Sequence, residues 1–286
     1  MRGIFLNMSM DNSIAQIGGL YMASQGDHGL EDAQTDFQVP PHELSKIQHV
    51  VAVMSGKGGV GKSSVTALLA TALRRRGLAV GVLDADITGP SIPRLFGLHK
   101  RPEFTEFGMF PPLTDTGIKV MSLNLLLDAE DDPVIWRGPL IGGAVKQFWT
   151  DVVWGDLDYL LIDLPPGTGD SPLTVLQILP LDGLVIVTSP QELANMVVKK
   201  AIKMADKMEI PIIGLVENMS YAICPHCEEK WELFGPSRGA GVAQDIGIPF
   251  LGTIPLDPRL TALCDTGAVE EYNGEVIARM QGWLNS

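Results

Sequence analysis

The chain has 286 residues, 45% hydrophobic and 19% charged, with a formal net charge of −13. That length suits one large α/β domain with a sizeable core, and the acidic balance opposes nonspecific binding to nucleic acid, whose phosphates require a basic face. No apolar run approaches the roughly 20 residues that span a bilayer, and Ile4-Phe5-Leu6 is too short for a signal peptide, so a soluble, cytoplasmic chain without stable membrane anchoring is expected.

Residues 1–45 read as a flexible tail. They are rich in Gly, Ser, Gln, Asp and Met, lack periodicity, and close at Pro40-Pro41. Met8, Met10 and Met22 are alternative starts. Residues 46–286 read as one nucleotide-binding domain. Val50 to Met54 is an apolar, β-branched run that predicts a buried strand. Val65 to Arg76 is apolar on one face and stops at Gly77, which predicts a helix with a basic last turn. Between them lies Gly56-Lys57-Gly58-Gly59-Val60-Gly61-Lys62-Ser63-Ser64, which fits the phosphate-loop pattern G-x-x-x-x-G-K-[ST]. A loop joining a strand to a helix N-terminus offers backbone N–H groups and the helix dipole to phosphate oxygens. Lys62 is placed to reach the β- and γ-phosphates, and the Ser63 hydroxyl to ligate Mg²⁺. Lys57 is a second lysine that an ordinary phosphate loop does not need; by itself it also reads as a solvated loop residue.

Further strands are expected at Ala79 to Asp84, Ile118 to Leu123, Tyr159 to Leu164, Leu184 to Ser189, Ile212 to Glu217 and Phe250 to Ile254. Helices are expected at Pro139 to Val152, Gln191 to Met208 and Glu270 to Leu284, with a polar acidic loop at Asp128 to Pro133. Apolar strands alternating with helices predict a mostly parallel sheet flanked by helices on both faces, with ligands at the carboxyl ends of the strands.

Two strands run into carboxylates, at Leu83-Asp84-Ala85-Asp86 and at Ile162-Asp163-Leu164-Pro165-Pro166-Gly167-Thr168-Gly169-Asp170. Asp163, after four apolar residues, is the candidate Mg²⁺ carboxylate. Gly167 and Gly169 suit a loop that rearranges when a γ-phosphate leaves. Asp84 and Asp86 also read as turn or helix-capping residues. Asn218 offers an amide donor and acceptor such as a base edge requires.

Three cysteines, Cys224, Cys227 and Cys264, do not make a disulfide framework. Cys264 reads as a small packed residue. Cys224-Pro225-His226-Cys227 supplies two thiolates within reach of one metal or cluster. The pair reads as half of a bridging cluster site, half of a zinc site with His226 as a further ligand, a redox pair or two unliganded thiols.

The K-G-G-V-G-K-[ST] pattern resembles the deviant Walker A ATPases, which include the nitrogenase iron protein and the MinD/ParA septum-site and partition ATPases. GKGGVGKSS, LDADITGPSIP, WRGP (Trp136 to Pro139), LIDLPPGTGD, ENMSY with CPHC, and LGTIPLDP, in this order over residues 46–275, resemble the Mrp/ApbC-type iron–sulfur carrier ATPases. The resemblance implies a P-loop NTPase that binds ATP and Mg²⁺, hydrolyses ATP slowly, and holds a 4Fe–4S cluster between the C-x-x-C pairs of a homodimer. A cluster donor and apo iron–sulfur client proteins are the implied partners. It implies that Lys57 crosses the dimer interface to the partner's nucleotide, that Asp86 orients or activates the attacking water, and that Asp84 is a structural or metal-shell partner. It places Asn218, Pro255 and Asp257 at the adenine. Many bacterial relatives carry an extra N-terminal domain and eukaryotic relatives an N-terminal cysteine cluster; the tail here contains no cysteine, so no second cluster is expected. A regulatory or positional ATPase of the MinD/ParA kind and a zinc-bridged dimeric ATPase are the alternatives.

Overall fold

The computed structural model describes residues 39–86, 89, 91–127, 138–190 and 194–284. The expected tail up to residue 38, the acidic loop at Asp128 to Pro133, Trp136 and Arg137, and the expected helix start at Gln191 lie outside these residues. The chain enters through β1 (Lys46–Ser55), the phosphate loop, α1 (Lys62–Arg75), β2 (Val80–Asp84) and the short α2 (Ile92–Leu95). A hairpin of β3 (Glu103–Thr105) and β4 (Gly108–Phe110) precedes β5 (Lys119–Ser122) and α3 (Gly138–Thr150). Then come β6 (Asp156–Asp163), α4 (Asp170–Ile178), β7 (Gly183–Thr188), α5 (Ala194–Lys207) and β8 (Ile212–Glu217). A second hairpin, β9 (Ala222–Ile223) and β10 (Lys230–Trp231), leads to α6 (Gly239–Ile246), β11 (Phe250–Thr253), α7 (Pro258–Thr266) and α8 (Glu275–Met280).

Among the described residues the main sheet has seven strands in the order β11-β8-β7-β1-β6-β2-β5, and every pairing in it is parallel. Strand β1 shows why the sequence reads as apolar on both sides. Val50, Ala52 and Met54 join one core cluster with Phe148, Trp149, Trp154 and Val198. Val51 and Val53 join the other, with Leu68, Leu69 and Leu73 of α1 and Val276, Ile277 and Met280 of α8. Successive side chains of a strand point to opposite faces, so a sheet covered on both faces buries them all.

Strand β1 begins four residues earlier than its apolar run. Its first residues pair with β6 from Lys46↔Asp156 onward, the Gln48 amide donates to Asp158 Oδ1 at 3.1 Å, and the His49 ring stacks on Tyr159 with centroids 4.9 Å apart. Two backbone amides, one within β1 and one just before β2, are held by aspartates. The Val50 amide donates to Asp182 Oδ2 and the Ala79 amide to Asp158 Oδ2, each at 2.7 Å.

The single C-terminal helix expected over Glu270 to Leu284 is a correction. A 3₁₀ turn spans Val269–Glu271, and α8 starts only after Gly274. The reason is steric: a Cβ on Gly274 would lie 2.2 Å from the Tyr272 hydroxyl oxygen, so the chain folds back on Tyr272 there instead of continuing a helix. No described helix is long and apolar enough to cross a membrane.

Candidate functional site

The phosphate loop leaves the carboxyl end of β1 in the centre of the sheet. The buried Ser55 hydroxyl donates to the Lys57 carbonyl at 2.9 Å and turns the chain. Gly59 and Gly61 have φ of 81° and 78°, the left-handed region that glycine enters at no steric cost. Gly61 caps the start of α1, so the first-turn N–H groups of that helix have no intrahelical acceptor and are open to an anion. Gly56, Ser63 and Ser64 are half-buried and Val60 is buried, while Lys57, Gly58 and Gly59 are exposed.

Asp163 ends β6, directly beside β1, and is 0% exposed. Its Oδ2 accepts from the Ser63 hydroxyl at 2.6 Å and pairs with Lys62 Nζ at 2.7 Å. Its Oδ1 accepts from the Thr66 hydroxyl at 2.7 Å. The structure therefore brings together Lys62, Ser63 and Asp163, as the sequence reading required. The Lys62 ammonium lies between the Ser63 hydroxyl, 3.3 Å away, and the Asp163 carboxylate. A hydroxyl and a carboxylate that already hold a cation are the hard oxygen donors Mg²⁺ takes, so these residues fit the metal. Thr66 was missed; its signal is its spacing three residues after Ser63, on the same face of α1.

Asp84 is the register partner of Asp163 across β2 and β6. It is buried and accepts from the amides of Asp86 at 3.1 Å and Ile92 at 3.2 Å and from the Ser122 hydroxyl at 3.2 Å. Burial, then the neighbouring Asp163 carboxylate, push its pKa up to about 8, against the pull of Lys62. Asp86, 8% exposed, follows two residues on. The second glycine-rich loop is tied to β1, since the Gly167 amide donates to the Ser55 carbonyl at 2.8 Å.

The end of β8 touches the phosphate loop. Asn218 Nδ2 donates to the Val60 carbonyl at 2.8 Å, and its Oδ1 accepts from the Met219 amide at 2.9 Å. The amide expected at a base edge thus also ties the end of β8 to the phosphate loop. Gly61 makes room for it, because a Cβ there would lie 2.3 Å from Asn218 Nδ2. Asp257 caps α7 by accepting from the Arg259 amide at 2.9 Å, pairs with the Arg259 guanidinium at 2.8 Å and accepts from the Tyr272 hydroxyl at 3.0 Å. Burial alone would raise its carboxyl; those three donors outweigh it and hold the carboxyl below the usual range. Pro255 and Asp257 line a cavity of about 630 Å³.

Cys224 and Cys227 sit in the turn of the β9–β10 hairpin. The turn is closed by the Cys224 amide on the Glu229 carbonyl at 3.0 Å and by the Glu228 amide on the Cys224 carbonyl at 2.9 Å. The Cys224 thiol is held below its ordinary pKa by the backbone N–H groups of His226 and Cys227 and by the Cys227 thiol. Cys224 is half-buried and Cys227 exposed, so both thiols stand at the protein surface. Among the described residues no three His, Cys, Asp or Glu side chains come together to hold a metal ion. Cys264 lies apart in α7, half-buried.

A family model described as ParA: NUBPL iron-transfer P-loop NTPase matches residues 46–281. The chain belongs to this family. An iron-sulfur cluster carrier protein of Methanocaldococcus jannaschii is 51% identical over 237 residues, 82% of this chain and 81% of that protein. The cytosolic Fe-S cluster assembly factor CFD1 of Eremothecium gossypii is 46% identical over 242 residues, 82% of this chain and 86% of that protein. Among solved structures, a nucleotide-binding protein of Archaeoglobus fulgidus in complex with ADP matches with a TM-score of 0.73 at 50% identity, covering 80% of this chain and 90% of that one. The cell division ATPase MinD of Pyrococcus furiosus matches with a TM-score of 0.58 at 20% identity, covering 83% of this chain and 98% of that one, and carries the fold alone.

Proposed function

We propose that this NUBPL-type P-loop NTPase is an ATP-hydrolysing iron–sulfur cluster carrier. Its cargo is a 4Fe–4S cluster bridging two copies of the chain, received from a donor and passed to apo iron–sulfur proteins. The observation that carries the reading is the thiol pair: Cys224 and Cys227 in one surface turn, with no third ligand gathered to them among the described residues. A four-thiolate cluster then needs a second pair, and a second copy supplies one. The carrier names of relatives near 50% identity support the same reading.

In this reading residues 46–286 are the ATPase domain and residues 1–45 an appended tail. Gly56 to Ser64 bind the phosphates, and Lys62 swings from Asp163 to them. Ser63 and Asp163 hold Mg²⁺, which supplies charge neutralisation to the β- and γ-phosphates. Asp86 orients the attacking water, and Asp84 is a structural or metal-shell partner beside it. Lys57, exposed at the loop, reaches the partner's nucleotide and stabilises charge on the transferred phosphoryl group. Asn218, Pro255 and Asp257 border the adenine.

Anaerobic reconstitution with iron and sulfide tests the cargo. About four irons per dimer, with a thiolate-to-iron absorbance band lost in the Cys224→Ser/Cys227→Ser double variant, is the expected result. A colourless protein holding zinc, or no metal, in both forms would overturn the reading.

A further inference from the structure

The cavity bordered by Pro255 and Asp257 has an opposite wall built from the cysteine hairpin: Tyr221, Ile223 and Pro225. Pro225 stands between the two cysteines and Ile223 immediately precedes them. The two walls are joined at their base by backbone bonds, from the Ser220 amide to the Ile254 carbonyl at 3.0 Å and from the Leu256 amide to the Tyr221 carbonyl at 2.7 Å. Tyr221 is further held under the Lys230 ammonium, 4.5 Å from the ring centroid. Beyond that base the hairpin is small and lightly covered: Ile223 is 50% and Trp231 61% exposed, and β9 and β10 pair over two residues each. The hairpin is thus joined to the facing wall at one end and borders the cavity of about 630 Å³ with Ile223 and Pro225.

We propose that Ile223 and Pro225 are positioning residues through which a nucleotide base in this cavity sets the geometry of the Cys224–Cys227 pair. The idea rests on the proposed placement of the base against Pro255 and Asp257, and it assigns regulation of the cysteines to the base side of the nucleotide. Filling the cavity removes the space the hairpin flexes into. The thiols then hold one separation and lose access to reagents. Empty, the hairpin samples several arrangements, and the pair grips a cluster less uniformly. Nucleotide control of cargo is in this way built without the glycine-rich loop after Asp163.

The test is alkylation of the metal-free, reduced full-length protein, followed by mass spectrometry at each cysteine, with the nucleotide-free protein as the reference. Saturating Mg-ADP is expected to slow Cys224 and Cys227 by about fivefold or more, the size of an ordinary coupling between sites. Magnesium tripolyphosphate, which has the phosphates but no base, is expected to leave both rates unchanged. Ile223→Ala, compared with the natural chain at saturating Mg-ADP as judged by calorimetry, is expected to lose most of the slowing, and Ile223→Val to recover it. ADP binding with no change at either cysteine would overturn the proposal, as would equal slowing by tripolyphosphate. Failure of the carrier reading shows separately, as failure to hold iron and sulfide.

Discussion

Gly61 meets two demands that no other residue satisfies together: a left-handed backbone and a gap for the Asn218 amide. Gly61→Ala must carry a φ of 78° and push aside an atom 2.3 Å from its new Cβ. It is expected to lose about 1–3 kcal/mol of stability, the usual size of such strain. Asn218→Ala leaves the Val60 carbonyl without its side-chain donor and is expected to lose a similar amount. Because the two residues share one contact, the double variant is expected to lose less than the sum; strict additivity in urea unfolding would show that the contact does not form. The cysteines separate just as clearly. Cys264 has its thiol pushed up by burial, with the Ser64 hydroxyl opposing, whereas Cys224 is pulled down by backbone N–H groups. The thiolate is the reactive form, so Cys224 is expected to alkylate well before Cys264 and to keep reacting at lower pH than an ordinary thiol.

Single elements are organised by side chains that close their ends. Glu217, 1% exposed, accepts from the Ser220 hydroxyl at 2.6 Å and from the Arg238 and Gly239 amides at 2.9 and 2.7 Å. One carboxylate thereby anchors the start of α6 and the turn leading to the cysteine hairpin. Glu217→Gln removes the charge from these bonds and is expected to cost about 1–3 kcal/mol, with faster hydrogen exchange at the first amides of α6. Unchanged exchange there would show that the carboxylate does not hold the helix. The strands of the main sheet were legible because they are apolar throughout. The helices α4, α6 and α7 were not: α4 and α7 have nine residues each and α6 eight, too short to show a period, and α4 carries Pro172 in its first turn. The break at Gly274 was missed because its cause, the Tyr272 ring, is a contact and not a composition.

Across the whole molecule the site follows the same division. Lys62, Ser63 and Asp163 were readable because each lies at the end of a strongly patterned strand or loop. The bond from Asn218 to Val60 spans 158 positions in sequence and exists only once β8 and β1 are brought to the same end of the sheet. The C-terminal segment is also held over long range, by the Tyr159 hydroxyl on the Leu284 carbonyl, 125 positions away, while within it the Tyr272 hydroxyl donates to Asp257. Burial, then the Asp257 carboxylate, push the Tyr272 hydroxyl up to about 12, above the ordinary tyrosine value of about 10. The folded chain therefore holds that proton more tightly than the unfolded chain does. The resulting stability is complete below about pH 10 and is lost as the pH rises through the folded value of about 12. Urea midpoints are expected to fall across that window in the natural chain and to fall less in Tyr272→Phe; parallel curves would refute the assignment.

The ion pair of Lys62 with Asp163 has a consequence for the order in which ligands arrive. The lysine that anionic phosphates need is already spent as the counter-ion of a carboxylate that water does not reach. An anion that comes bare draws Lys62 away and leaves that carboxylate uncompensated, the state a buried charge tolerates least. An anion that brings its own divalent cation trades one counter-ion for another. The empty protein is thus expected to discriminate against free nucleotide in favour of the metal-loaded form, and calorimetric titration with and without the cation reads that preference directly.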